Sequence, residues 1–192
     1  MTTSVRTITS PLSHSCISSL KTGDEVLITG TIFTARDAAH RRLISLIDKG
    51  RRLPVDLHGQ ILYYTGPTPV HPATKRFSAG PTTSSRMDAY TPALLEKTGL
   101  AAMIGKGDRS PNVIAAMKTN HAVYFSAGGG LGALLGNCVK RSAPVCWEDL
   151  GPEAIYRFDV KDFPVIVAID CRGTDLYKSG PARFKKPAEQ HQ

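Results

Sequence analysis

Three short segments bring cations or hydroxyls to points where a helix is expected to begin, which makes each a candidate anion site. The richest is Gly80-Pro81-Thr82-Thr83-Ser84-Ser85-Arg86-Met87-Asp88, where four consecutive hydroxyls precede an arginine. Hydroxyls both donate and accept, and a guanidinium fork matches the two oxygens of a carboxylate. A plain N-cap accounts for part of this run but not for all four hydroxyls, so it reads as a binding loop. In Gly105-Lys106-Gly107-Asp108-Arg109-Ser110-Pro111, a lysine sits between glycines that let backbone approach a ligand. Ser110 and Pro111 follow as N-cap and first helical residue, and the spacing is not that of a phosphate-binding P-loop. In Thr34-Ala35-Arg36-Asp37, Thr34 is expected to cap a helix with Asp37 in the capping-box position. Arg36 then falls in a first turn whose dipole disfavours a cation, which fits either a ligand contact or a pair with a nearby acid. The run Gly128-Gly129-Gly130 reads as tight strand–helix packing, and His40 as a structural or supporting residue, because the histidines lack metal-ligand spacing.

These loops need a scaffold, and the hydrophobic periodicity supplies one. Val26 to Phe33 is an apolar, β-branched strand, and Ala35 to Lys49 an amphipathic helix ended by Gly50. A strand pair is expected in 52–64 around Gly59, then a Pro/Thr/Gly-rich loop over 67–81. Helices are expected over 84–98, 111–120 and 131–139, and strands over 100–104, 121–126, 154–160 and 165–170, with 147–149 a loop or short strand. This alternation predicts an α/β fold with a mixed sheet that has a parallel component, in a single domain over 1–178. Two prolines and several charges make 179–192 an expected mobile tail.

The chain has 192 residues and a net charge of +8, which favours an anionic ligand or partner. Its basic residues are scattered and its aromatics few (7%), which argues against a nucleic-acid interface. Cys16, Cys138, Cys146 and Cys171 form no C-x-x-C pair, so neither a zinc ribbon nor a ferredoxin-type cluster motif is present, and reduced structural thiols are expected. No apolar run approaches the length of a membrane span, and the polar N-terminus interrupted by Pro11 does not read as a signal peptide, so a cytoplasmic protein is expected.

The string Gly80 to Asp88 resembles the signature of the C-terminal domain or β subunit of class I fumarases. Arg36-Asp37-Ala38-Ala39-His40, Tyr63-Tyr64-Thr65-Gly66-Pro67, Gly105 to Ser110, Asp149 to Ile155 and Val160 to Pro164 agree in order and content, over roughly residues 7–178. The resemblance implies a swivelling β/β/α domain and a hydro-lyase that adds water to fumarate. It implies a [4Fe–4S] cluster on a separate α subunit, with an open iron acting as a Lewis acid, and an assembly such as α2β2. Arg36, Arg86 and Lys106 fall at the family's substrate-binding positions, with Thr82, Thr83, Ser84 and Ser85 in the same loop. Thr82 matches a threonine at the proton-transfer position, with Thr83 beside it as a second catalytic candidate. The related β subunit of L(+)-tartrate dehydratase shares Gly-Pro-Thr-Thr-Ser and Arg-Met, whereas Asp108-Arg109-Ser110 and Met87 to Tyr90 look more fumarase-like. Tartrate or mesaconate chemistry, or a stand-alone dicarboxylate-binding module, are the alternatives.

Overall fold

The computed structural model describes residues 5–74 and 76–184. In chain order the elements are β1 (Arg6–Ser10), α1 (His14–Ser19), β2 (Glu25–Thr34), α2 (Asp37–Asp48), β3 (Ile61–Tyr63), α3 (Thr91–Thr98) and β4 (Ala102–Gly105). There follow α4 (Pro111–Thr119), β5 (Val123–Ser126), α5 (Gly132–Cys138), β6 (Val139–Cys146), β7 (Ile155–Ile169) and α6 (Leu176–Phe184), with short 3-10 turns at Ser84–Met87 and Glu148–Glu153.

Strands β1 to β5 run parallel, β1 beside β2, β2 beside β3, and so on to β5. The long β7 crosses them antiparallel and pairs with both β5 and β2, so the pairings β2–β3–β4–β5–β7–β2 close into a ring. Strand β6 hangs from β7 as an outer edge. The mixed α/β sheet expected from the alternation is therefore present.

Alternate residues of each strand face opposite layers, as a period of two requires. Ile61, Tyr63, Ile104, Val123 and Phe125 point to one core with Ile28, Ile32, Phe158 and Phe163. Leu62, Met103 and Tyr124 point to a second core, where Ala39 and Leu43 of α2, Leu94 and Leu95 of α3, and Val113 and Met117 of α4 cover them. Gly30 interrupts the β2–β7 register at φ +111°, and a Cβ there would lie 2.5 Å from the Ser10 carbonyl oxygen of β1, so only glycine fits this crossing.

Several expectations change. Only Ile61–Tyr63 of the strand pair in 52–64 is strand; Gly59, at φ +69°, makes a turn instead. The helix expected over 84–98 is a 3-10 turn and then α3, because Pro92 starts a fresh helix at its N-terminal end. Segments 154–160 and 165–170 are one 15-residue strand with Asp162 at φ +52° inside it, and 147–149 leads into a 3-10 turn. β1, α1 and β6 lie in segments where the hydrophobic pattern predicts no element. Helix α6 carries regular structure to Phe184, and the remainder of the tail expected from 179 lies outside the described residues. No helix among the described residues is long and apolar enough to cross a membrane.

Candidate functional site

Parallel strands deliver the loops that follow them to one end of the ring, at the carboxyl ends of the strands, where parallel α/β folds carry their ligands. Arg36 follows β2, Thr65 and Gly66 follow β3, Lys106 follows β4, and the glycine run follows β5. The loop 80–88 is laid across this end by its backbone. Tyr63 Oη donates to the Ala79 carbonyl at 2.6 Å, Thr65 Oγ1 to that of Gly80 at 2.8 Å, and Thr82 N–H to that of Tyr64 at 2.7 Å. Ser84 N–H then donates to the Lys106 carbonyl at 2.9 Å, and Thr83 forms a parallel bridge with Lys106. The hydroxyl loop and the lysine loop, separate in sequence, are thus joined by main-chain bonds.

The four hydroxyls have different surroundings. Ser84 is fully buried, and its Oγ lies 2.8 Å from Tyr124 Oη, which donates its own hydrogen to the Gly107 carbonyl at 2.9 Å. Ser84 therefore donates and Tyr124 accepts in that pair. Burial pushes the Tyr124 phenol up from its ordinary value, so it keeps its proton. Thr83 and Ser85 are exposed and Thr82 half-buried, and none of their side-chain oxygens has a hydrogen-bond partner among the described residues. A Cβ on Gly105 would collide with the Ser84 hydroxyl and press on Tyr64. Gly105→Ala is therefore expected to lose about 1–3 kcal/mol of stability. Chemical denaturation measures this, and a wild-type midpoint would contradict the packing account.

The start of α2 departs from expectation. Thr34 does not cap it; its Oγ1 accepts from Tyr156 N–H at 3.0 Å, because β2 continues to Thr34 and pairs with the β7 side. Arg36 occupies the N-cap position without a side-chain cap. The carboxylate of Glu153 takes the open N–H of Ala38 at 2.8 Å, so the anion slot of this helix is filled from within the chain. Asp37 is not a capping-box residue either: its two oxygens accept from Arg86 Nε at 3.0 Å and Nη2 at 2.7 Å. Arg36 Nε lies 4.0 Å from Asp37 and its Nη2 3.5 Å from Glu153. The buried Nε has no hydrogen-bond partner. Arg36 and Arg86, fifty positions apart, are gathered by one carboxylate.

A second ion pair lies beneath the loops. Arg109 has a fully buried side chain; Nε donates to Asp88 Oδ1 at 2.7 Å and Nη2 to Thr91 Oγ1 at 2.8 Å. Its guanidinium stacks between Tyr64 and Tyr124, at 5.3 and 5.1 Å from the ring centroids. The other Asp88 oxygen accepts from Ser110 N–H at 2.7 Å, at the start of α4. Ser110 caps that helix with Pro111 behind it, as the sequence predicts. Glu153, Asp88, Arg109 and Tyr124 are supporting residues that spacing does not single out, Asp37 is one to which spacing assigns a different role, and nothing local marks their partners.

His40 is buried, donates from Nδ1 to the Arg36 carbonyl at 2.8 Å, and packs edge-on against Tyr64. Loss of hydration lowers its pKa to about 4, so it is neutral in the folded state. The unfolded chain then takes up the proton more readily, and stability is full above the ordinary imidazole pKa and falls as pH drops towards the folded value. Between about pH 6.5 and pH 5 this single group is expected to cost ~2 kcal/mol. Urea unfolding at the two pH values measures it, and a flat dependence would contradict a buried neutral imidazole.

The result is an end of the ring with three cations, Arg36, Arg86 and Lys106, and two acids, Asp37 and Glu153, among them. Lys106 is exposed and makes no ion pair among the described residues. The residual positive charge and free hydroxyls suit a carboxylate. Among the described residues no three His, Cys, Asp or Glu side chains converge on a possible metal position, and the four cysteines are unpaired.

The sequence matches the family described as Fumarase C-terminus over residues 2–180. It is 38% identical over 167 residues to a protein of Methanocaldococcus jannaschii provisionally named L(+)-tartrate dehydratase subunit beta, covering 84% of this chain and 86% of that one. It is 34% identical over 181 residues to L(+)-tartrate dehydratase subunit beta of Escherichia coli, covering 92% and 89%. Against Fumarate hydratase class I, anaerobic, of Escherichia coli it is 37% identical over 152 residues, covering 79% of this chain and 28% of that protein. The chain thus spans nearly the whole of the beta subunits and under a third of that fumarate hydratase.

Proposed function

Because the chain belongs to the Fumarase C-terminus family, we propose that it is the β subunit of a two-part hydro-lyase that interconverts fumarate and (S)-malate. The observation that carries this reading is the gathering of Arg36, Arg86, the Thr82–Arg86 loop and Lys106 at one end of the closed sheet. Hydration adds a hydroxyl to one alkene carbon and a proton to the next, with negative charge building beside a carboxylate. A half-site that holds that carboxylate by fixed cations lowers the barrier to either step.

In this reading Arg86 and Arg36 bind the substrate carboxylate, Lys106 adds a mobile cation, and Thr83, Ser84 and Ser85 shape the loop, Ser84 through its bond to Tyr124. Thr82 stands at the proton-transfer position with Thr83 beside it. An unassisted alcohol is a weak base, so its hydroxyl needs an activating neighbour from the partner. Asp37 and Glu153 keep the arginines in place before substrate arrives.

Class I fumarases are iron–sulfur enzymes, and the donor set of this chain does not fit a cluster: its cysteines are dispersed and no acceptable ligand group forms among the described residues. We therefore assign the [4Fe–4S] cluster to a partner α subunit, in an assembly such as α2β2. A cytoplasmic setting would keep the four unpaired thiols reduced. The closed ring, with α2, α3 and α4 covering one core and Ile17 of α1 and Leu135 of α5 packed in the other, suits a swivelling β/β/α domain that moves as a body against the α subunit.

Dehydration of L(+)-tartrate is the second reading, favoured by the near-complete coverage of the tartrate dehydratase beta subunits. The assembled enzyme is to be assayed anaerobically with fumarate, mesaconate and L(+)-tartrate. A kcat/KM for fumarate at least tenfold above the others supports the fumarase reading, and a preference for tartrate overturns it.

A further inference from the structure

An apolar groove of about 300 Å³ runs between the start of β2, the end of β5, the C-terminal part of β7 and Leu135 of α5. Three large aliphatic side chains stand half-exposed around it: Val5 (51%), Leu131 (47%) and Ile166 (42%). Buried Val26 and Val165 form its floor, and Glu25, exposed and without an ion pair among the described residues, lies on its rim. Half-exposed aliphatic side chains gathered round one concavity mark a contact surface more often than chance placement.

We propose that this groove is the seat of the α subunit, which presents aliphatic side chains to Val5, Leu131 and Ile166 and a lysine or arginine to Glu25. The proposal rests on the two-subunit reading above. Two features of the molecule favour this occupant. The groove lies beside the site: Gly128 and Leu131 line it, and a Cβ on Gly129 between them would lie 3.9 Å from the Lys106 side chain. A body seated there is brought to the end of the ring that carries Lys106. The second feature is chain entry. The family model is that of a fumarase C-terminus, and the chain spans only 34% and 28% of two class I fumarate hydratases, which places their remaining polypeptide ahead of β1. Val5 immediately precedes β1 and lines the groove. The part that is covalently attached in those relatives therefore arrives beside the groove, where a separate subunit would dock.

The test uses the full chain and its cognate cluster-bearing α subunit, mixed anaerobically, with association measured by sedimentation velocity and titration. Leu131→Asp is expected to weaken association at least about 30-fold. Glu25→Lys is expected to weaken it by a smaller, salt-dependent factor. Val145→Asp, at an exposed position on β6 (43%), is expected to leave it unchanged. Circular dichroism and thermal melting of each free variant separate lost docking from lost folding, and Glu25→Lys, a surface change, covers the case in which Leu131→Asp does not fold. Wild-type affinity in both groove variants overturns the proposal. So does a free chain that self-associates through the groove and loses that association in Leu131→Asp, because the occupant would then be a second copy. If the wild-type chains neither associate nor catalyse, the two-subunit reading itself fails. If they do both and the variants behave as wild type, only the docking surface fails.

Discussion

Replacing Arg86 with alanine in the assembled enzyme is expected to lower kcat/KM for fumarate by roughly 30- to 4,000-fold, about 2–5 kcal/mol. The reason lies in the fork of the guanidinium. Asp37 holds Nε and Nη2, which fixes the plane of the group and leaves Nη1 outside that ion pair. Truncation removes the cation and also frees Asp37, whose charge would then face the substrate carboxylate directly. Arg86→Lys is expected to recover little, because an ammonium cannot reproduce the planar contact with Asp37. The side chain is half exposed in this chain, so its surface ion pair contributes little to folding and the variant is expected to melt close to the wild type. Steady-state kinetics beside a melting curve therefore separates recognition from stability. A wild-type kcat/KM in a folded Arg86→Ala enzyme would remove Arg86 from the site.

Arg109→Ala is expected to destabilise the chain by about 3–5 kcal/mol. Arg109 is the one site-proximal cation with no exposed side-chain surface among those discussed, and it ties Asp88 and Thr91 together between two tyrosine rings. Its loss leaves Asp88 with a largely buried charge and only the Ser110 N–H, and opens a gap between Tyr64 and Tyr124. Replacing both Arg109 and Asp88 with apolar residues is expected to cost less than the single change, since no unpaired charge remains. Denaturant unfolding reads both effects. A single variant within about 1 kcal/mol of wild type would show that the pair is not a structural tie.

The parts of the fold legible in the sequence are those with a regular period. VLITGTIF and the spacing of Ala39, Leu43 and Ile47 marked β2 and α2 within a residue or two, and Ser110-Pro111 marked the start of α4. β6 was hidden because Lys140, Arg141 and Pro144 break its pattern, which an edge strand tolerates. β7 read as two strands because Lys161-Asp162 falls at a positive-φ position in the middle of one. For the site, residue types and loop composition pointed to Arg36, the 82–86 run and Lys106. What could not be read was the pairing between loops: Asp37 with Arg86, Glu153 with the start of α2, and Asp88 with Arg109 are tertiary contacts with no local periodicity.

The most direct test of the two-part account is anaerobic hydration of fumarate, with malate as the product followed, by this chain alone, by its cluster-loaded α subunit alone, and by the two together. The account predicts no turnover above background from either chain alone and sustained malate formation from the mixture. Hydration by this chain alone, or an intact cluster-bearing complex that turns over neither fumarate nor the related hydroxy-acid substrates, would contradict it.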